Sequence, residues 1–295
     1  MARLLGSRTN SDWTSWFSTR TDEDFLNEVA VGIRRGELFP VYRPVVDAST
    51  GALESVAVCV AWAHPMLGLV RSRAFVPRLV ASSGARGLAA RILEVACRDA
   101  ADWPVVGGSA PGLRIDTPID ELNRGGLECI AAAKLDAVGL SPRRLLFRVP
   151  DARGGGPAAG ESVRALRALG LPFCLGLADL SRAGIDGALA LRPDQISVLL
   201  SSALRLGGSA DPDGAGLEPL AAELARAKAA GVRLVVTGVH DRSQLTAARR
   251  LGADLVHGPV ITQGRLITGP LDVHELDVAS RHLLRERPSS ELLHA

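Results

Sequence analysis

Six polar residues fall at or near the ends of short β-branched runs: Asp116, Arg148, Ser197, Thr237, His240 and His257. Aspartate and histidine side chains are the groups that ligate metal ions or move protons. The set is nevertheless a poor match for a hard divalent cation, which takes several carboxylate oxygens. A guanidinium at Arg148 would repel such an ion at short range. The alternative is a pocket whose polar groups satisfy one another, with Arg148 paired to Asp116, because buried polar atoms must find partners. That second arrangement is the expected one. No G-x-S-x-G, H-E-x-x-H or Walker pattern occurs, and Gly154–Gly156 lacks the Lys and Ser/Thr that complete a phosphate loop. The residues therefore point to no catalytic group, no metal site and no cofactor.

Positioning these side chains falls to alternating strands and helices. Strands are expected at Pro40–Val46, Leu53–Trp62, Leu113–Asp116, Leu145–Val149, Phe173–Leu177, Gln195–Leu199, Arg233–Thr237 and Leu255–Val260. Helices are expected near Ala74–Ser82, Leu88–Asp102, Leu127–Val138, Glu161–Leu169, Ala183–Leu191, Leu217–Ala230 and Ser243–Leu251. Eight strands separated mostly by helices imply an α/β fold of the (β/α)₈ barrel type, with its site at the C-terminal ends of the strands. Thr50-Gly51 leaves so short a connection that the first two strands can pair antiparallel.

Three spans are expected: a polar leader with an aromatic cluster over residues 1–22, the barrel over 23–272, and a C-terminal helix and tail over 273–295. In the leader, Trp13, Trp16 and Phe17 are at helix-like spacing and either form a docking site or pack back onto the domain, the latter being favoured. Thr21 followed by Asp24 starts a helix that ends near Gly36, with Phe25, Leu26, Val29, Ala30 and Ile33 on one face. Pro104–Gly112, Arg153–Gly160 and Gly207–Gly216 have loop composition.

Bulk composition narrows function only by exclusion. The chain has 295 residues, 47% of them hydrophobic, and a net charge of +2. No stretch approaches the roughly 18 uninterrupted apolar residues of a membrane span, and the start has no apolar signal core. The arginine pairs are scattered without interleaved aromatics, so no nucleic-acid stripe forms. Cys59, Cys97, Cys129 and Cys174 are widely spaced among apolar neighbours and read as buried free thiols in a reducing cytoplasm.

The stretch FPVYRPVVDASTGALESVAVCVAWAHP resembles the opening of the EAL domain family, which hydrolyses the second messenger cyclic di-GMP. The family frame runs Y-Q-P-(I/V)-V, then T-G, then E-A-L-L-R-W-x-H-P; Tyr42, Pro44, Thr50, Gly51, Trp62, His64 and Pro65 keep it. The resemblance extends over about Asp24 to Leu271 and implies a barrel with a reversed first strand. It also implies what has changed. Ala57 stands where the family has its metal-binding glutamate, Ala61 where it has a substrate-gripping arginine, and Arg43 where it has glutamine. Asp116 replaces an asparagine ligand, Arg148 the first acid of E-I-T-E, and Gly176 and Leu177 the two aspartates of D-D-F-G. Ser197 replaces the lysine near the attacking water, Thr237 and His240 the glutamates of E-G-V-E, and His257 the glutamine of Q-G-Y-L.

What the resemblance then implies is a catalytically inactive cytoplasmic module that binds a bacterial signalling or regulatory protein. A non-hydrolysing cyclic di-GMP receptor is the alternative, through Arg43, and an active phosphodiesterase a remote one. Without the guanidinium at Ala61 and with an apolar Leu177 at the old metal centre, cyclic di-GMP binding is expected to be weak or absent. The contact surfaces expected are the aromatics Trp13, Trp16 and Phe17 and the loop Asp179–Gly187 with Asp179, Arg182 and Asp186, which in relatives helps form a dimer. A homodimer stays open.

Overall fold

The computed structural model describes residues 16–82, 85–151, 156–207, 216–262 and 272–285. Strands β1 (Leu38–Asp47), β2 (Leu53–His64), β3 (Gly68–Arg71), β4 (Gly112–Asp116), β5 (Leu145–Val149), β6 (Phe173–Gly176), β7 (Gln195–Leu199), β8 (Arg233–Thr237) and β9 (Leu255–His257) form one sheet. Its order is β1-β9-β8-β7-β6-β5-β4-β2-β3, and β1 also pairs with β2, so the sheet closes on itself with β3 as an appendage. β1 runs antiparallel to both neighbours, β2 and β9, while the strands from β2 through β4 to β9 pair parallel. This is the eight-stranded α/β barrel with the reversed first strand that the short Thr50-Gly51 connection requires.

Helices cover the outside. They include α1 (Asp22–Arg34), α2 (Val76–Ala81), α3 (Ala85–Ala101), α4 (Ile119–Arg124), α5 (Leu127–Asp136), α6 (Pro157–Ala168) and α7 (Arg182–Ala190), then α8 (Leu200–Leu206), α9 (Glu218–Ala229), α10 (Arg242–Arg250), α11 (Pro259–Thr262) and α12 (Val273–Arg285). The expected first helix is present, with the Thr21 hydroxyl accepting from the Asp24 amide at 3.1 Å. Three expectations need correction. The last strand ends at His257 because Pro259 starts a helical turn. Pro157 likewise starts α6 inside the expected Arg153–Gly160 loop, and α4 and α8 are single short helices that periodicity could not resolve. The loop 207–216 lies mostly outside the described residues.

Period-two alternation sorts each strand into an outward and an inward row. On β1, Tyr42 points out, meets Trp103 edge to face at 5.4 Å and donates to Asp99 at 2.5 Å. Arg43 and Val45 belong to the other row, and Val45 forms an apolar cluster with Val235 and Leu255, against which Ala57 packs. One anchoring device recurs on the parallel strands. Asp194, just before β7, accepts from the Phe173 amide at 2.8 Å, and Asp254, just before β9, accepts from the Leu234 amide at 2.8 Å. Each aspartate pins its own strand's entry to the start of a strand before it.

The aromatic leader packs back. Phe17 is only 3% exposed, stacks on Trp62 with centroids 5.8 Å apart, and meets Phe25 edge to face. Arg78 ties the segment down by donating to the Phe17 and Arg20 carbonyls. Phe17 is therefore core and is unavailable as a docking surface. Trp16 is half-buried beneath the Arg20 guanidinium, and Trp13 lies outside the described residues.

The thiol expectation also needs correction. All four cysteines are free and Cys97 and Cys174 are buried, but Cys129 is exposed on α5 and Cys59 is half-buried.

Candidate functional site

The C-terminal ends of β4, β5 and β7 bring three polar side chains together. Arg148 donates through Nη1 to the Asp116 carboxylate at 2.8 Å and through Nε to the Ser197 hydroxyl at 2.9 Å. The in-register pairing of Asp116 with Arg148 on adjacent strands makes the first contact almost unavoidable. Ser197 lies two strands further round, so Arg148 spans the mouth.

Two residues deeper on the same inward rows sits a second layer. Arg114 is 3% exposed and donates to the Gln195 amide oxygen at 2.8 Å and to the Cys174 sulfur at 2.7 Å. Its partners are both neutral, and burial depresses its pKa. Burial raises the Cys174 and Cys59 thiols, so both are uncharged at neutral pH. His257 pairs its Nδ1 with the Pro44 carbonyl at 3.0 Å, and burial pushes its pKa down to about 4. The same groups reappear around each of these sites: Cys59 feels Arg43, Asp116 and Arg148, and His257 feels Arg114, Asp116 and Arg43. Strand register places them close together: Arg43 and Arg114 flank Ala57, and His257 pairs with Val45, two residues along β1 from Arg43.

The EAL domain model matches residues 26–263. The chain belongs to the EAL domain family. A Caulobacter vibrioides uncharacterized signaling protein is 28% identical over 158 residues, 53% of this chain and 19% of that protein. The Mycobacterium tuberculosis protein Rv1357c, also uncharacterized, is 32% identical over 73 residues, 25% of this chain and 24% of the relative. The chain thus spans a quarter or less of these relatives' lengths. Among solved structures, the PaMucR phosphodiesterase in its c-di-GMP complex superposes with a TM-score of 0.70 at 20% identity, covering 83% of this chain and 98% of that one. The Xanthomonas citri FimX EAL domain in complex with c-di-GMP gives 0.70 at 16%, covering 85% and 95%. At these identities the likeness establishes the fold alone.

The EAL frame now has coordinates. Ala57 is in register with Arg43 on one side and Arg114 on the other. Ala61 is fully buried. Gly176 lies against β5: a Cβ there would be 2.0 Å from the Pro150 carbonyl oxygen, so the backbone itself has closed over this position. Leu177 is buried and donates its amide to the Ser197 carbonyl at 2.8 Å. Thr237 directs its hydroxyl to the Val198 carbonyl at 3.3 Å. Gly238, at φ 77°, holds the turn after β8.

The metal centre that the resemblance implies does not fit this donor set. Among the described residues no group of three or more His, Cys, Asp or Glu side chains is placed to hold a metal ion. Asp116, the acid at the mouth, is occupied by a guanidinium, and the wall at Gly176 admits no carboxylate.

Of the residues singled out from sequence, Asp116, Arg148 and Ser197 come together, and Arg43 and His257 share their electrostatic environment. His240 does not join them; it is exposed beyond β8, with its amide donating to Gln244 at 2.9 Å. On the loop after β6, Asp179 accepts from the Ser181 amide at 2.9 Å, Asp186 pairs with Arg226 at 2.7 Å, and Arg182 reaches Glu223 at 3.7 Å. His64 is structural: Nε2 meets Glu28 at 2.9 Å, and Nδ1 accepts from the Met66 and Leu67 amides. Sequence reasoning missed Arg114, Cys174 and Gln195. Each lies two residues before a residue that was singled out, and alternation alone would have placed it on the same inner face.

Proposed function

We propose that this EAL chain is a non-hydrolysing signalling module that acts by binding another protein. The single observation that carries this reading is the Arg148–Asp116–Ser197 bridge across the barrel mouth. Metal-assisted phosphodiester hydrolysis needs acids to hold cations and a base to ready the water. Here a cation occupies the position of one acid, and the pairing consumes another. The family's opening frame and barrel persist around it, which supports a scaffold retained for its surface. No partner chemistry is assigned by this reading.

The test is direct incubation of the full chain with cyclic di-GMP and either Mg²⁺ or Mn²⁺, followed by chromatography. No linear dinucleotide is expected; turnover that disappears on chelation would sink the proposal. Cyclic di-GMP is the ligand in the PaMucR and FimX structures, so calorimetry belongs beside the assay. A submicromolar dissociation constant without turnover would replace the scaffold reading by that of a receptor.

A further inference from the structure

We propose that the cleft between α6 and the end of α7, on the outer face of the barrel, binds a medium-chain acyl carboxylate, with its chain against β5 and β6 and its head group at Arg164 and Arg167. A cavity of about 320 Å³ opens there, a volume within the range of small-molecule sites. Its floor is the outward row of the strands, Val149, Phe173 and Leu175, all buried. Ile119 and Leu122 of α4 and Val163 of α6 wall it. A second cavity, of about 260 Å³, continues past Leu175 and Leu191, which line both. None of Asp116, Arg148 and Ser197 lines either one, so the cleft is separate from the bridge at the mouth.

The space is kept open at a cost to the helices. Gly160 lies in α6 and Gly187 in α7, and glycine weakens a helix relative to alanine. Nothing in the backbone calls for either glycine. Neither has a positive φ. Apart from the helix's own backbone, a Cβ at Gly187 would meet nothing within 4 Å, and one at Gly160 would meet only the Arg164 Nη1 at 3.6 Å. Gly160 lines the first cavity and Gly187 the second. Charge is distributed unevenly along the cleft. Arg164 and Arg167 are the charged residues of the first cavity, whereas the carboxylates Asp151 and Asp179 belong to the second. Arg164 makes no hydrogen bond or ion pair among the described residues, and Arg167 approaches Asp194 at 3.9 Å. Guanidinium forks match a carboxylate. An apolar trough with cations at one end and acids at the other thus suits an anionic head on an extended apolar tail.

The full chain is titrated with sodium octanoate and sodium decanoate by calorimetry at neutral pH and constant ionic strength. One saturable site is expected, with decanoate about tenfold tighter than octanoate because two further methylenes leave water. Gly160→Leu fills the first cavity and should weaken decanoate binding by about tenfold or more. Leucine is the better helix former, so the urea midpoint of this variant should match or exceed that of wild type. Gly187→Leu blocks the second cavity and should weaken decanoate more than octanoate. Arg164→Gln should weaken decanoate severalfold and leave 1-decanol, which has the chain without the charge, unaffected.

Absence of saturation by decanoate up to about 1 mM, on the order of a weak specific affinity, would overturn the site. So would an unchanged decanoate affinity in a folded Gly160→Leu variant. Decanol binding as tightly as decanoate would leave the arginines no role and overturn it as well. Many decanoate molecules per chain, insensitive to both leucine substitutions, would reduce the effect to detergent-like coating. In a last arm the chain is sedimented with phosphatidylglycerol vesicles. Capture that is lost in Gly160→Leu, without decanoate binding, would overturn the proposal in favour of a membrane lipid. Decanoate binding without vesicle capture upholds it.

Discussion

Arg148 and Asp116 sit in register on neighbouring strands and share a 2.8 Å contact at the mouth of the barrel. The pair sits at the position where the family resemblance expects two metal-binding groups. Asp116 is more than half exposed, so the pair's contribution to stability is modest, about 1 kcal/mol or less. Replacing Arg148 by Glu restores the sign of the family acid but sets two carboxylates side by side, with Arg43 and Arg114 still in the lumen. Urea denaturation should show a loss of about 1–2 kcal/mol, and cyclic di-GMP should remain uncleaved at millimolar Mg²⁺. A gain of turnover in this single variant would show that the remaining metal positions are dispensable.

Ala57→Glu tests the frame from the opposite side. The new carboxylate would arise on β2 in register with Arg114 on β4 and Arg43 on β1. Its nearest counter-charge is thus a guanidinium and not a metal ion. Hydrolysis should stay absent.

At Gly176 the obstacle is backbone. A Cβ would lie 2.0 Å from the Pro150 carbonyl oxygen, a contact that can be relieved only by moving β5 away from β6. Gly176→Ala should destabilise the fold by about 2–4 kcal/mol, read as a lower urea midpoint at unchanged slope. Gly176→Asp should be at least as damaging and restore no metal dependence. A Gly176→Ala variant of wild-type stability would mean that the two strand ends separate readily.

Strand periods and turn chemistry were enough to recover the barrel, because both are local: Leu145–Val149, Gln195–Leu199 and Arg233–Thr237 are read from the chain without error. The pairing of Arg148 with Asp116 was also legible, since two residues at equivalent strand ends must be neighbours once the order is known. The deeper layer of Arg114, Cys174 and Gln195 was not. A buried arginine with neutral partners breaks the expectation that charges stay outside, and only packing reveals that Gln195, two strands beyond Cys174's neighbour β5, completes it. The closing of Pro150 over Gly176 was invisible for a different reason: a glycine in sequence records freedom, not the neighbour that exploits it. The aromatic leader was ambiguous because three ring side chains suit a partner's surface or the chain's own, and the stack of Phe17 on Trp62 decides for the latter.

That stack gives a stability prediction. Phe17 is almost fully buried between Trp62 and Phe25, beside the end of β2. Phe17→Ala should cost about 3–5 kcal/mol by chemical denaturation. Trp62 fluorescence should shift to the red in the same variant, as its ring loses a cover. A cost below about 1 kcal/mol would show that the segment docks only loosely.

His257 carries the pH dependence. Its pKa falls from the ordinary 6.5 to about 4 in the folded chain, first because burial disfavours the imidazolium and then because Arg114 and Arg43 repel it. The bond to the Pro44 carbonyl works against this shift but does not cancel it. The unfolded chain therefore takes up a proton as pH drops through about 6.5, while the folded chain resists until about 4. Stability from this group is complete above pH 6.5 and erodes between 6.5 and 4, by at most about 3 kcal/mol. Urea midpoints measured from pH 7.5 to 4.5 should fall accordingly, and His257→Gln, whose amide can still donate to Pro44, should flatten the part of the decline that begins near pH 6.5. An identical pH profile in wild type and His257→Gln would place the titration elsewhere.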